Sequence, residues 1–160
     1  MPRTIETTVY TIEEHPNPEK VFEWIRDNWH GLGDFCLEEM VQSIKAFADQ
    51  IGATPNWSIS IVPDRGEFVR FNIESNLSDV VESLDLSGNC PFTGMCYDET
   101  ILDAFRNAKP DDSLRAVLHE VEYRILKDLH NEGEYIYSDE GLRELCEINE
   151  YEFTESGEIA

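Results

Sequence analysis

Cys90, Cys96, His119 and His130 are the side chains from which a metal site in this 160-residue chain would have to be assembled. Their spacing argues against one. Structural zinc sites draw on cysteines two to four residues apart, whereas five residues separate Cys90 from Cys96. His119 and His130 are eleven apart on one expected helix, which brings them near one face but leaves about 16 Å between them along the axis at 1.5 Å per residue. A single ion cannot take both. His119-Glu120 opens like the helix of a zinc protease, but Tyr123 stands where the second histidine would be needed. No metal or other cofactor is therefore expected. A metal-dependent hydrolase is the least favoured class and would require His119 to face inward among carboxylates.

The acid pairs Glu13-Glu14, Glu38-Glu39 and Asp98-Glu99 have the chemistry of a general acid and base flanking a scissile bond. With 34 Asp and Glu in the chain, such pairs follow from composition alone, and a solvated face is the simpler account of them. The chain has no Gly-rich phosphate loop, no nucleophile elbow and no credible Ser/His/Asp set. It reads as a non-enzyme. Trp24, Trp29 and Trp57 fall at helix or strand positions, where they belong to a core rather than to a stacking platform for bases.

What remains is the acidity itself. Twelve Lys and Arg oppose the 34 acids, a net charge of −22. Blocks of like charge mark disordered tails, but here the acids are threaded through an apolar pattern. The chain is 41% hydrophobic and 11% aromatic, more than a solvated acidic coil would carry. At this length one acidic α+β domain over 1–160 is expected. Its exterior repels DNA, RNA and anionic membranes, because each phosphate approached adds repulsion instead of releasing counterions. A basic protein or ribonucleoprotein surface is the favoured partner. The charge is also uneven: −8 over residues 1–80 and −14 over residues 81–160, with ten acids against the single base Arg143 from His130 to Ala160. Met1 to Thr8 has no secretory pattern, and no run approaches the roughly 18 apolar residues of a membrane span. A cytoplasmic protein is expected, with scattered free thiols of which Cys36 and Cys146 are buried.

Elements positioning these groups follow from periodicity. Thr4 to Ile12 alternates as a strand with Ile5, Val9 and Ile12 on its apolar face, ended by His15-Pro16-Asn17-Pro18. Pro18 opens a helix capped by Asn17, with Val21, Phe22, Trp24, Ile25 and Trp29 inward. Asp34 caps a second helix carrying Leu37, Met40, Val41, Ile44, Phe47, Ala48 and Ile51 to Gly52. Trp57 to Val62 and Glu67 to Ile73 form a hairpin about Pro63-Asp64-Arg65-Gly66. Ser75 to Gly88 fits either a short helix or an edge strand, and strand or loop is preferred. Cys90 to Gly94 is a turn before a short helix from Asp98 to Asn107, and Pro110 to Ser113 opens another that ends before Gly133. Ser138 caps a last helix through Cys146, and Glu150 to Thr154 can add a strand at the sheet edge. The expected fold class is α+β: a small, mainly antiparallel sheet with four to five helices packed on it.

Three segments together resemble a known family. They are Val9 to Glu14, Cys90-Pro91-Phe92-Thr93-Gly94 with Asp98-Glu99, and Glu134 to Asp139-Glu140 continuing through Asn149-Glu150-Tyr151-Glu152-Phe153-Thr154-Glu155. The family is that of small acidic bacteriophage and prophage proteins often labelled antitoxins of a toxin-antitoxin stability system; His15-Pro16-Asn17-Pro18 departs from its opening. The resemblance implies a mobile-element origin and no catalytic residues. Phages must block host restriction and CRISPR nucleases, whose working surfaces are basic channels, so the chain is similar in kind to anti-restriction and anti-CRISPR proteins that mimic DNA. The expected function is inhibition of such a host complex, with contact through Glu132, Glu134, Asp139, Glu140, Glu144, Glu147, Glu150, Glu152 and Glu155. An antitoxin that neutralises a cognate toxin through a mixed apolar and acidic interface is the alternative.

Overall fold

The computed structural model describes residues 1–160. In chain order its elements are β1 (Tyr10–Thr11), α1 (Pro18–Asn28), α2 (Asp34–Ile51), β2 (Thr54–Ser58), β3 (Phe68–Asn72), α3 (Leu77–Ser83), α4 (Tyr97–Arg106), α5 (Leu114–Ile136), α6 (Asp139–Asn149) and β4 (Glu152–Phe153). They form two compact units: Met1–Leu32 with Glu134–Ala160, and Gly33–Gly133.

The first unit joins the two ends of the chain. Tyr10 pairs with Phe153 and Thr11 with Glu152 in an antiparallel ladder. The strand expected from Thr4 to Ile12 is thus cut to two residues, because a strand runs only as far as its partner offers backbone groups. β4 turns back on itself directly: Gly157 N–H donates to the Thr154 carbonyl and Ala160 N–H to that of Glu152. Ile5, read as part of an apolar strand face, is 85% exposed. Ile12, Val21, Phe22, Ile25, Leu142, Cys146 and Phe153 make the core. Trp24, Trp29 and Tyr151 pack edge-on beside it, with ring centroids 5.9 and 5.2 Å apart in succession. This geometry suits the quadrupoles of aromatic rings.

Pro18 does open α1, but Asn17 does not cap it through its side chain. Its N–H instead donates to Nδ1 of the buried His15 at 3.0 Å. Nδ1 is then the acceptor, so Nε2–H donates to the Thr154 carbonyl at 2.8 Å. Ser138 caps α6 by accepting from Gly141 N–H at 3.1 Å. A Cβ on Gly141 would lie 2.0 Å from the Tyr135 carbonyl oxygen, so this turn into α6 admits only glycine.

In the second unit α2 runs as expected to Gly52, whose φ of 74° makes the left-handed C-cap. Its N-cap is Gly33 rather than Asp34, which is the first helical residue. Phe47 meets Phe71 of β3 edge-on at 5.0 Å and packs on Phe105 of α4 at 5.6 Å. The hairpin is antiparallel with Trp57 opposite Val69, and its first strand begins three residues earlier than expected. Pro55 fits there because its partner Phe71 directs its own amide to the outer edge, away from β2. The connection is longer than a tight turn because Ile61 leaves the ladder and is buried. A Cβ on Gly133 would come 2.1 Å from the Ile61 carbonyl, which is why that glycine lies within α5 instead of ending it.

Residues Leu77 to Ser83 are helical, correcting the preference for strand or loop. Asn76 Oδ1 accepts from Asp79 N–H at 2.9 Å, an N-cap that the apolar pattern alone did not weigh. The α+β class holds, with six helices rather than four or five. The single sheet is replaced by two separate two-stranded ones, β1 with β4 and β2 with β3. One cause is visible at the outer edge of β3. Phe71 N–H donates to Glu122 of α5 at 3.2 Å, and Arg115 donates to the Phe71 carbonyl at 3.3 Å. The two side chains, paired at 2.5 Å, occupy the place of a neighbouring strand.

Candidate functional site

The two units carry equal charge at very different density. The first holds fifteen acids and four bases in 59 residues, the second nineteen acids and eight bases in 101, each a net −11. Of the nine acids expected to contact a partner, eight lie in the first unit and Glu132 in the second. All nine side chains are exposed.

α6 organises most of them. Glu140, Glu144 and Glu147 follow an i, i+4, i+7 spacing and so share one face. The helix core face uses Leu142 and Cys146 instead. Asp139 is diverted from this surface: it pairs with Arg26 at 2.5 Å, while Arg26 Nε donates to the Tyr137 carbonyl at 3.0 Å. Glu144 accepts from the Tyr135 hydroxyl, and that bond pushes the tyrosine pKa up. Glu134, Glu140, Glu147, Glu150, Glu152 and Glu155 accept no side-chain hydrogen bond and make no ion pair.

Three of these, Glu147, Glu150 and Glu152, converge on a hollow of about 390 Å³. Glu13 completes its rim, and the buried Ile12 and Cys146 supply an apolar floor. Burial raises the Cys146 thiol to about 11, against the opposing influence of Arg143. In the sequence Glu13 stands out only as half of an adjacent acid pair. The tail strand expected at a sheet edge was the one signal that could have brought it here, since pairing of β4 with β1 carries Glu13 to Glu152.

This arrangement works against stability in two ways. Glu147 and Glu150 sit at the C-terminal end of α6, where the helix dipole is negative and no basic residue answers it. Glu150 is itself the C-cap with φ 52°, a left-handed conformation that glycine adopts without penalty and a residue bearing a Cβ resists.

The second unit uses its acids otherwise. Asp98, entirely buried, accepts from Ser43 Oγ at 2.7 Å, Phe92 N–H at 2.9 Å, Thr93 N–H at 2.7 Å and Thr93 Oγ1 at 2.8 Å. Its neighbour Glu99 accepts from Cys90 N–H at 2.9 Å and from Arg106, and the Arg106 bond holds its carboxyl below the ordinary range. Arg106 also donates to the Leu86 and Gly88 carbonyls at 2.8 and 3.0 Å. The Asp98-Glu99 pair therefore pins the loop from Leu86 to Met95 to α4. Both carboxylates are committed to that task, and Asp98 has no solvent access for proton transfer.

His119 does not face inward as a hydrolase site would require; its side chain is 82% exposed. His130 instead meets Glu67 at 2.8 Å. No three His, Cys, Asp or Glu side chains are grouped so that they could hold a metal ion. No helix is long and apolar enough to cross a membrane. No protein-family model, curated protein or solved structure matches the chain.

Proposed function

We propose that the chain is a non-enzymatic binding protein, of bacteriophage or mobile-element origin, that inhibits a host nucleic-acid-handling defence complex of CRISPR or restriction type in the host cytoplasm. Its first unit presents an acidic surface to the Lys/Arg-rich groove that would otherwise hold nucleic acid. One observation carries the reading: of fifteen carboxylates in this unit only Asp139 and Glu144 have side-chain partners. The others are held on a folded frame at a cost to its stability, which a basic partner would offset. Along α6, Glu140, Glu144 and Glu147 place charges about 6 and 4.5 Å apart at 1.5 Å per residue. That is between one and two phosphate steps of a nucleic-acid strand at about 3.4 Å each.

The antitoxin reading has one specific support. Ile148, 71% exposed beside Glu147, is an apolar anchor of the kind that a mixed interface uses. Salt separates the two. The protein is immobilised, host lysate is applied at about 50 mM salt and washed towards about 500 mM, where screening shortens the reach of exposed charges severalfold. Release of a nuclease complex in that series, and its failure to bind when Glu144, Glu147, Glu150 and Glu152 are changed to Lys, is the expected result. Capture that survives both the salt and the reversal removes the electrostatic reading and favours the apolar one.

A further inference from the structure

The second unit holds a groove whose chemistry is opposite to the rest of the chain. It measures about 500 Å³ and lies between β3 and a stripe of α5 in which Arg115, His119, Glu122, Tyr123 and Leu126 recur at helical spacing. β3 contributes Phe68 and Arg70 from its outward face. Arg70 and Arg115 are cations, and Arg115 is held in place by the Phe71 carbonyl and by Oε1 of the one carboxylate, Glu122, which also accepts from the Phe71 amide. Arg70 supplies a free cation: it makes no ion pair and no side-chain hydrogen bond, and it is exposed. His119 Nδ1 stands 3.6 Å from Glu122 Oε2, and Nε2 of the same ring is open to a ligand.

Apolar surface accompanies the charge. Tyr123 is 58% exposed and Phe68 lies at the groove beside it. Lys127 Nζ sits 5.9 Å over one face of the Tyr123 ring, which leaves the other face for contact. A cationic floor with two accessible aromatic rings recognises an anion joined to a flat ring.

We propose that this groove binds a small organic anion of the nucleoside monophosphate class. Arg70, Arg115 and His119 take the phosphate, and Phe68 and Tyr123 take the base. The volume falls within the range of about 300–1,000 Å³ usual for such ligands. The net −22 decides between a mononucleotide and a nucleic-acid strand: a polyanion meets repulsion at every phosphate beyond the groove, while a single phosphate needs only the local cations. The site is independent of the acidic surface of the first unit.

AMP titrated into the full chain, followed by amide NMR, tests the assignment, with ribose 5-phosphate and adenosine as arms lacking the ring or the anion. Saturable shifts confined to Phe68–Arg70 and Arg115–Leu126 are expected. Affinity should fall about tenfold or more in Arg70→Ala, and by a similar factor for each truncated ligand. The Arg70 side chain makes no hydrogen bond or ion pair, so this variant keeps the fold, and unchanged shifts elsewhere in its spectrum verify that. Tyr123→Ala is the second variant, with a loss for AMP but none for ribose 5-phosphate. No saturable shift up to about 10 mM AMP, equal affinity in Arg70→Ala, or tighter binding of an acidic peptide than of AMP overturns the proposal.

Discussion

The same net −11 is put to two uses in the two units. In Gly33–Gly133, ten of nineteen carboxylates accept hydrogen bonds or ion pairs from the chain: Glu67, Asp79, Asp85, Asp98, Glu99, Asp103, Asp112, Glu120, Glu122 and Asp128. In the unit made from the chain ends, two of fifteen do. Net charge therefore says little about role. A carboxylate that closes a loop or replaces a strand is part of the fold, while one that only repels its neighbours is available to something outside it.

Stability measurements offer the strongest way to break this contrast. Asp98→Ala strands two backbone amides and two hydroxyls in a buried site, and should cost about 3–5 kcal/mol in urea unfolding. Glu147→Ala, on the exposed face of α6, should stay within about 0.5 kcal/mol of the parent. Comparable losses in both would mean that the carboxylates of the two units do not differ in kind. Glu122→Ala comes next, at about 2 kcal/mol, because Phe71 N–H loses its acceptor at the edge of β3. That variant should also associate at high concentration by light scattering, since the edge it uncovers can pair with another copy.

How much of this could be read in advance differs along the chain for physical reasons. α2 was legible from Leu37 to Gly52 because four turns of apolar periodicity end in a left-handed glycine. The end of α5 was not, since Gly133 looks like a stop and only the approach of Ile61 explains its place in a helix. β1 is shorter than its pattern suggests, because strand pattern in Thr4 to Val9 does not say how long a partner strand will be. For the candidate surface, the acids of α6 and the tail stand out by their density alone. Glu13 escaped because its role depends on the pairing of Thr11 with Glu152 across the whole chain. Asp98 and Glu99 could be seen as a pair, but their donors come from residues as distant as Ser43 and are invisible to local spacing.

pH extends the comparison with smaller effects. Glu99 has its folded pKa below the ordinary 4.5, through Arg106 first and the Cys90 amide second. Its contribution to stability is present above 4.5 and is lost as pH falls through the lower folded value. The sign reverses for Cys146, raised by burial from 9.0 to about 11. The folded first unit keeps that proton more tightly than the unfolded chain, so stability falls as pH rises from 9.0 towards 11. Cys146→Ala should flatten this alkaline limb in thermal melts, and a limb that persists unchanged would assign it elsewhere. At pH 8, thiol titration with a colorimetric disulfide should label the exposed Cys96 at once and Cys146 only after unfolding.

The smallest effect is the most discriminating, because it sets stability against binding at one residue. Glu150 caps α6 at φ 52° and lines the acidic hollow with Glu13, Glu147 and Glu152. Glycine in its place removes the left-handed strain and one carboxylate from the negative end of the helix dipole. The change should stabilise the fold by about 0.5–1 kcal/mol. If the hollow only keeps the protein soluble, nothing else should change. If it receives a basic side chain of a partner, Glu150→Gly should raise the melting temperature and weaken capture together. Glu150→Asp keeps a carboxylate on a residue that tolerates this backbone, so it separates the two causes: capture weakened by glycine but kept with aspartate traces the loss to the charge. Capture retained in both would leave the strained glutamate without a role in binding, and the contrast between the units would then describe solubility alone.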